Sequence, residues 1–267
     1  MIKKFLWLSL TLLALVVLAR DSQAAIIRIN APKIELELEP GETYSGETEV
    51  ENPTDQELKL RVYLEDWAYK PGGTGEKDFG PVGTLPLSAG KWIAFSPTEA
   101  DIQPYGRVTV RYTIAVPPDA KGTYYSVLFF ENILGTTTNQ EGANVLVAGR
   151  IGSLFFVQIK GTVERSGKLR SLDVVPPQGN SPMEISVDFE NSGNVDITLQ
   201  GNFVLMDEKG SVAARGDLKK IYTQPGGGAK NKTEWVGRLE PGKYNLVVTF
   251  DLGKGKSLVE EKELIVR

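Results

Sequence analysis

The sequence predicts an all-β protein built of two β-sandwich domains in tandem. Three observations carry this. After the first two dozen residues, apolar residues recur with a period of two in short runs broken by Gly, Pro, Asn and Asp. Helical periodicity is nearly absent from the same stretch. Two phrases also occur twice. Val50-Glu51-Asn52-Pro53-Thr54-Asp55 is echoed by Phe189-Glu190-Asn191-Ser192-Gly193-Asn194, and Leu38-Glu39-Pro40-Gly41 by Leu239-Glu240-Pro241-Gly242. A single large barrel accounts less well for that echo.

The elements follow in chain order. Lys3 and Lys4 precede an apolar run, Phe5 to Ala19, and then the small-x-small site Ser22-Gln23-Ala24. This is the pattern of a secretory signal peptide over residues 1–24, so the mature chain is expected to start at Ala25. The run is shorter than the roughly 20 residues a membrane span needs, and no later run is longer, so no transmembrane helix is expected after processing. Removal of the leader leaves 243 residues, a length for two domains. Residues 25–160 are expected to form the first immunoglobulin-like sandwich and 161–267 the second, with the junction near Lys160–Gly167.

In the first domain, Ile34, Leu36 and Leu38 alternate with Glu35, Glu37 and Glu39, and Pro40-Gly41 ends the strand. Leu58 to Leu64, Val108 to Val116 and Tyr124 to Glu131 are further strands. Tyr69–Gly90, with six glycines and three prolines, is long for a structureless connection; it reads as a mobile sandwich-edge loop or a functional one. In the second domain the strands are Ile185–Phe189, Val195–Leu199, Phe203–Leu205, Leu246–Phe250 and Leu264–Val266. Asp207-Glu208-Lys209-Gly210 and Gly253-Lys254-Gly255 read as hairpin turns.

One strand stands apart. Asn144 to Ile159 is apolar on both faces. Val145, Val147, Ile151, Phe155, Val157 and Ile159 share one side; Leu146, Ala148, Leu154 and Phe156 share the other. One face covers its own domain's core. Leaving three large side chains of the other in water would forgo roughly 5–9 kcal/mol, at about 1.5–3 each. Another part of the chain, or a partner, must cover it.

Composition removes most chemistries. The chain has no Cys and no His. Disulfides, lipidated cysteine, histidine-based catalytic triads and the usual zinc sites are therefore excluded. The mature chain carries 27 basic and 33 acidic residues, a net charge of −6, with no basic patch interleaved with aromatics, so no nucleic-acid partner is expected. Glu35, Glu37 and Glu39 read as a solvated face rather than converging catalytic carboxylates, and Glu65-Asp66 and Glu260-Glu261 point to opposite faces. Asn191, Asn194 and Asp196 could ligate calcium, but turn chemistry already explains them. Trp67, Trp92 and Trp235 read as core residues before a sugar-stacking surface. Asn231-Lys232-Thr233 fits a glycosylation acceptor and reads as loop. No enzyme activity, metal or cofactor is expected. Arg150 is the single charge inside the two-faced strand; it reads either as a snorkelling edge residue or as a fork for a partner's carboxylate.

Val108 to Glu131 carries a strand, a Val-Pro-x-Asp-Ala-x-Gly connection and an apolar strand; Gly149-Arg150-Ile151-Gly152-Ser153-Leu154-Phe155-Phe156 follows after a loop. With the upstream Trp92-Ile93-Ala94-Phe95-Ser96-Pro97, this order over roughly residues 30–160 resembles the N-terminal domain of periplasmic pilus chaperones of the PapD type. The resemblance implies that the strand binds an incomplete pilus or envelope subunit by β-strand addition, with Val145, Val147, Ile151, Leu154, Phe155 and Phe156 as the partner-binding residues. It also implies an anchor for the partner's C-terminal carboxylate. The family uses a Lys just past the Arg-Ile pair and an Arg on the first strand. Here Gly152 and Ser153 follow Ile151, so that Lys is missing, and the candidate anchors are Arg150, Arg28 and Lys33.

The expected function is therefore an exported, non-enzymatic protein-binding module of the periplasm or cell exterior, chaperone-like, acting on another envelope, pilus or surface protein. The residues leave a second reading open: a structural or adhesive envelope protein that binds peptidoglycan or a surface protein. In that reading the extra apolar face of Asn144–Ile159 packs on the second domain.

Overall fold

The computed structural model describes residues 27–138, 142–179 and 181–267; the signal peptide expected at 1–24 lies outside them. The first sandwich contains β1 (Arg28–Ile29), β2 (Lys33–Leu38), β3 (Thr43–Glu51), β4 (Leu58–Tyr69), β5 (Lys77–Gly80), β6 (Ile93–Ser96), β7 (Glu99–Ile102), β8 (Arg107–Ala115), β9 (Thr123–Thr138) and β10 (Asn144–Ile159). The second contains β11 (Gly167–Val175), β12 (Met183–Asn191), β13 (Ile197–Asp207), β14 (Val212–Thr223), β15 (Gly228–Trp235), β16 (Gly242–Gly253) and β17 (Lys256–Val266). One 3₁₀ turn at Gly90–Trp92 is the only helical element among the described residues.

In the first sandwich, a sheet of order β1-β3-β8-β6 faces a sheet of order β2-β10-β9-β4-β5, with β7 also on β4. The period-two pattern explains the core. Val50, Val110 and Ile114 from the first sheet meet Val62, Leu128, Phe130, Phe155 and Val157 from the second. In the second sandwich, β11-β12-β15 faces β14-β13-β16-β17, and Ile185, Phe189, Phe203, Leu205, Leu246 and Val248 fill the space between. The runs expected as separate strands at Val195–Leu199 and Phe203–Leu205 are one strand, β13. The alternation continues through Gly201, and the irregularity near it is absorbed in the pairing with β14.

The repeated Asn phrases make one device used twice. Asn52 and Asn191 are both fully buried. The Asn52 amide donates to the carbonyls of Gln56, Ile102 and Gln103, and its Oδ1 accepts from the Thr54 N–H. Asn191 donates to the Val195 carbonyl and accepts from the Gly193 N–H. Each amide satisfies turn backbone that the sandwich has removed from water. Asn194, one of the residues weighed for calcium, is spent likewise: its amide donates to the Thr162 carbonyl and its Oδ1 accepts from the Glu164 N–H.

Tyr69–Gly90 folds back on the sandwich. β5 pairs with the end of β4, and the following segment is tied to Asp66. That carboxylate is fully buried and accepts from the N–H groups of Gly83, Thr84 and Leu85 and from the Ser88 hydroxyl. Glycine-rich sequence reads as loose when considered alone; a buried acceptor supplies the order. The β4–β5 hairpin tip reaches across to the second sandwich. The Tyr222 N–H donates to the Gly73 carbonyl at 3.0 Å, and the Tyr69 and Tyr222 rings lie 5.7 Å apart. Gly73 has φ +68°, and a Cβ there would sit 2.6 Å from the Ala229 methyl and 2.9 Å from Ile221 Cγ2. Only glycine fits both the backbone and the gap.

Two outcomes are expected. Asp66→Ala removes the buried acceptor that three backbone N–H groups share and should cost about 1–3 kcal/mol in urea unfolding, with faster hydrogen exchange at Gly83–Leu85. Gly73→Val should cost about 1–3 kcal/mol through overpacking and speed exchange of the Tyr222 amide.

Candidate functional site

β10 lies inside its sheet for only part of its length. On one side it pairs antiparallel with β9 from Asn144 to Gln158. On the other it pairs parallel with β2, but only from Leu154 to Ile159. From Val145 to Gly152 no strand pairs with that second edge among the described residues. The Leu154 N–H donates to the Pro32 carbonyl, toward the β2 side. Backbone polar groups alternate between the two edges of a strand, so the N–H and C=O of Gly152, Arg150 and Ala148 face the unpaired edge. Further along, Ser153 closes the gap: its Oγ donates to the Ala31 carbonyl at 2.6 Å.

The side chains divide at the same place. Val145 and Val147 are 41% and 38% exposed and Ile151 is half-buried, all three on the face that continues the core side of the sheet. Phe155, Val157 and Ile159 on that face are 0% exposed, enclosed between the two sheets. The other face carries Leu154 and Phe156. Phe156 is 3% exposed and belongs to a separate cluster with Trp67, Tyr125, Val127 and Phe129, against which Tyr63, Tyr69, Leu87 and Leu154 pack. Trp67 meets Phe156 edge-on at 5.0 Å and Tyr125 at 5.2 Å. Of the residues expected on the partner-binding strand, the structure thus groups Val145, Val147 and Ile151 beside the open edge. It spends Phe155 and Phe156 on the two cores and leaves Leu154 partly covered. The Leu146 side chain lies outside the described set.

The candidate anchors do not form one cluster. Arg150 Nη1 donates to the Tyr63 hydroxyl at 3.0 Å and to Glu65 Oε1 at 3.1 Å, and its guanidinium lies 4.0 Å from the Phe129 ring centroid. These contacts, the Tyr63 hydrogen bond foremost, push the guanidinium further above its already high range. Its fork is occupied within the chain. Arg28 is exposed on β1, in register with Glu51 of β3 in the same sheet, which is not the sheet that holds β10. Lys33 opens β2 opposite Leu154, with Nζ 2.7 Å from Glu35 and 4.4 Å from the Phe156 centroid.

Sequence reasoning did not foresee Tyr63, Phe129 and Phe79 around Arg150, nor the contacts that join the outer cluster to the second sandwich. The signal existed in β4, where Tyr63, Trp67 and Tyr69 alternate with Val62 and Leu64 and so mark a second apolar face. At the seam, the Tyr125 hydroxyl donates to Asp196 at 3.3 Å and the Thr123 N–H to the Asn194 carbonyl at 3.0 Å. Burial pushes the Asp196 carboxyl above its usual 3.8, against the pull of Arg165 and Lys33. Of the three tryptophans singled out as candidate sugar platforms, Trp67 is buried, Trp92 is half-buried with its ring tilted against Tyr124 at 4.2 Å, and Trp235 is half-buried against the second core. Among the described residues no helix is long and apolar enough to cross a membrane, and no group of three or more acidic side chains converges as a metal site.

No protein-family model matches the sequence, and no curated relative does. Solved structures are similar to it over most of its length. The class 5 fimbriae chaperone CfaA is 14% identical, with a TM-score of 0.48, covering 89% of this chain and 99% of that one. A chain of the Salmonella enterica complex of SafA pilin with the SafB chaperone is 11% identical, with a TM-score of 0.42, covering 92% and 98%. The E. coli chaperone DraB is 12% identical, with a TM-score of 0.41, covering 91% and 99%.

Asp196 yields a pH prediction. Its pKa is raised in the fold, so its contribution to stability is complete below the unfolded value near 3.8 and is lost as pH rises through the folded value. Asp196→Asn keeps the acceptor for Tyr125 and removes the buried charge. It should raise Tm by a few degrees at pH 7 and do little at pH 3, as thermal melts across that range would read.

Proposed function

We propose that this chain is an exported protein-binding module that takes an incomplete envelope or pilus subunit as an added strand along the open edge of β10. The observation that carries the reading is the coincidence, over Val145–Gly152, of an unpaired backbone edge with a row of exposed or half-buried aliphatic side chains. The Ala148, Arg150 and Gly152 peptides offer the guest its ladder, and Val145, Val147 and Ile151 enter its groove. Phe155 and Phe156 hold the strand rigid from below, so little ordering entropy is lost when a guest docks. An exposed edge of this kind is normally blunted by charge, proline or a covering loop. Over Val145–Gly152 the only charge is Arg150, and it is drawn down onto Phe129. The resemblance in motif order supplies the guest class, a subunit whose own sandwich lacks a strand.

Envelope extracts provide the test. Val145→Asp with Val147→Asp removes two contacts of about 1.5 kcal/mol each, so guest affinity should fall about a hundredfold while Tm stays near wild type. Phe156→Ser should instead unfold the protein. If the double aspartate variant copurifies with the same subunits at wild-type yield, the open edge is not the binding strand.

A further inference from the structure

A second site lies at the seam between the sandwiches. A cleft of about 250 Å³ is lined by Lys160 and Arg165 from the junction, Lys254 and Lys256 from the β16–β17 turn, and Glu37 and Gln158 from the ends of β2 and β10. Lys254 sits at φ +54° in the tight β16–β17 hairpin, as such a turn requires. Not all of this charge is neutralised. Lys254 pairs with Glu37 at 3.3 Å and Lys160 with Glu39 at 2.7 Å, both as exposed pairs worth little. Lys256 instead donates to the Arg165 carbonyl at 2.9 Å, and Arg165 Nη1 donates to the Asp196 and Leu252 carbonyls. Among the described residues neither Lys256 nor Arg165 has a carboxylate within ion-pair distance. Arg165 faces Asp196 only at longer range.

We propose that this cleft binds a phosphate group. Arg165 Nη1 is spent on two carbonyls, so the end-on fork of Nη1 and Nη2 is not open to a ligand carboxylate. The rest of the lining is the ammonium groups of Lys160, Lys254 and Lys256, from both sides of the seam, with the Gln158 amide and the Glu37 carboxylate beside them. That arrangement suits a compact dianion with oxygens in several directions. The site is separate from the open strand edge. β2 closes that edge from Leu154 onward, and Gln158 lies six residues past Gly152, about 20 Å along the strand at roughly 3.3 Å per residue.

The test is an amide NMR titration of the purified protein with inorganic phosphate at constant ionic strength, with acetate as comparison. Saturable shifts should appear at Lys160–Arg165 and Gly253–Lys256 with phosphate and not with acetate. Lys160→Gln with Lys256→Gln should weaken them about tenfold, the effect expected of two lost charge contacts, at unchanged Tm. If that variant loses stability, Lys254→Gln, whose side chain is exposed, serves instead. Sedimentation with phosphatidylglycerol and phosphatidylcholine vesicles distinguishes the source. Selective pelleting with the anionic vesicles, lost in the variant, assigns a lipid headgroup; phosphate saturation without pelleting assigns a soluble phosphate. Shifts that never saturate and no selective pelleting overturn the proposal, as does equal binding by the variant.

Discussion

Burial of both faces of β10 between Leu154 and Ile159 is the constraint on which the rest of the molecule depends. A strand has two faces, and a two-layer sandwich covers only one of them. Phe155, Val157 and Ile159 use the ordinary core between the sheets. Phe156 needs a second core, and the chain builds one on the outside of the sheet from Trp67, Tyr125, Val127 and Phe129. Each edge-on aromatic contact there adds about 0.5–1.5 kcal/mol beyond the area it buries. Once β10 is held on both faces at this end, its other half can run past the start of β2 with β9 as its one neighbouring strand among the described residues.

The outer core explains features that look unrelated along the chain. It lies in the path of the second sandwich, so its rim becomes the seam: Tyr69 meets Tyr222, and Tyr125 meets Asp196. It is capped by cations laid over rings, Lys33 on Phe156, Lys77 on Trp67 and Tyr69, and Arg150 on Phe129. A long basic side chain can cover apolar surface with its stem and keep its charge near water. Leu87, carried by the segment that Asp66 pins, packs on the same cluster. The glycine-rich stretch is therefore a lid over aromatic side chains, and its order comes from one buried carboxylate.

Where sequence reasoning fell short, the reason is physical in each case. β3 reads Thr-Tyr-Ser-Gly-Glu-Thr-Glu-Val-Glu, and β15 reads Gly-Ala-Lys-Asn-Lys-Thr-Glu-Trp; both are strands with little apolar content of their own. They form because a neighbour supplies the ladder, β8 for one and β12 for the other, and strand propensity is largely a matter of such surroundings. Arg150 carried two readings, and neither named its partners within the chain, Glu65, Tyr63 and Phe129, which only the pairing of β4, β9 and β10 brings alongside it. The missing Lys after Ile151 was visible in the sequence. That Lys33 would lie over Phe156 was not.

The sequence by itself determined the all-β class, the strands with strong alternation, the repeated Asn turns and the excess of apolar surface on Asn144–Ile159. These are local properties, written in a period of two and in the short reach of an amide to its own turn. Only the tertiary structure decided how that excess is shared. It buried Phe155 and Phe156 on opposite faces, left one of the two edges beside Val145 and Val147 without a partner strand among the described residues, and gathered the seam lysines from segments almost a hundred residues apart. Which surface is covered depends on what lies beside a strand in space, and no periodicity within the strand records that.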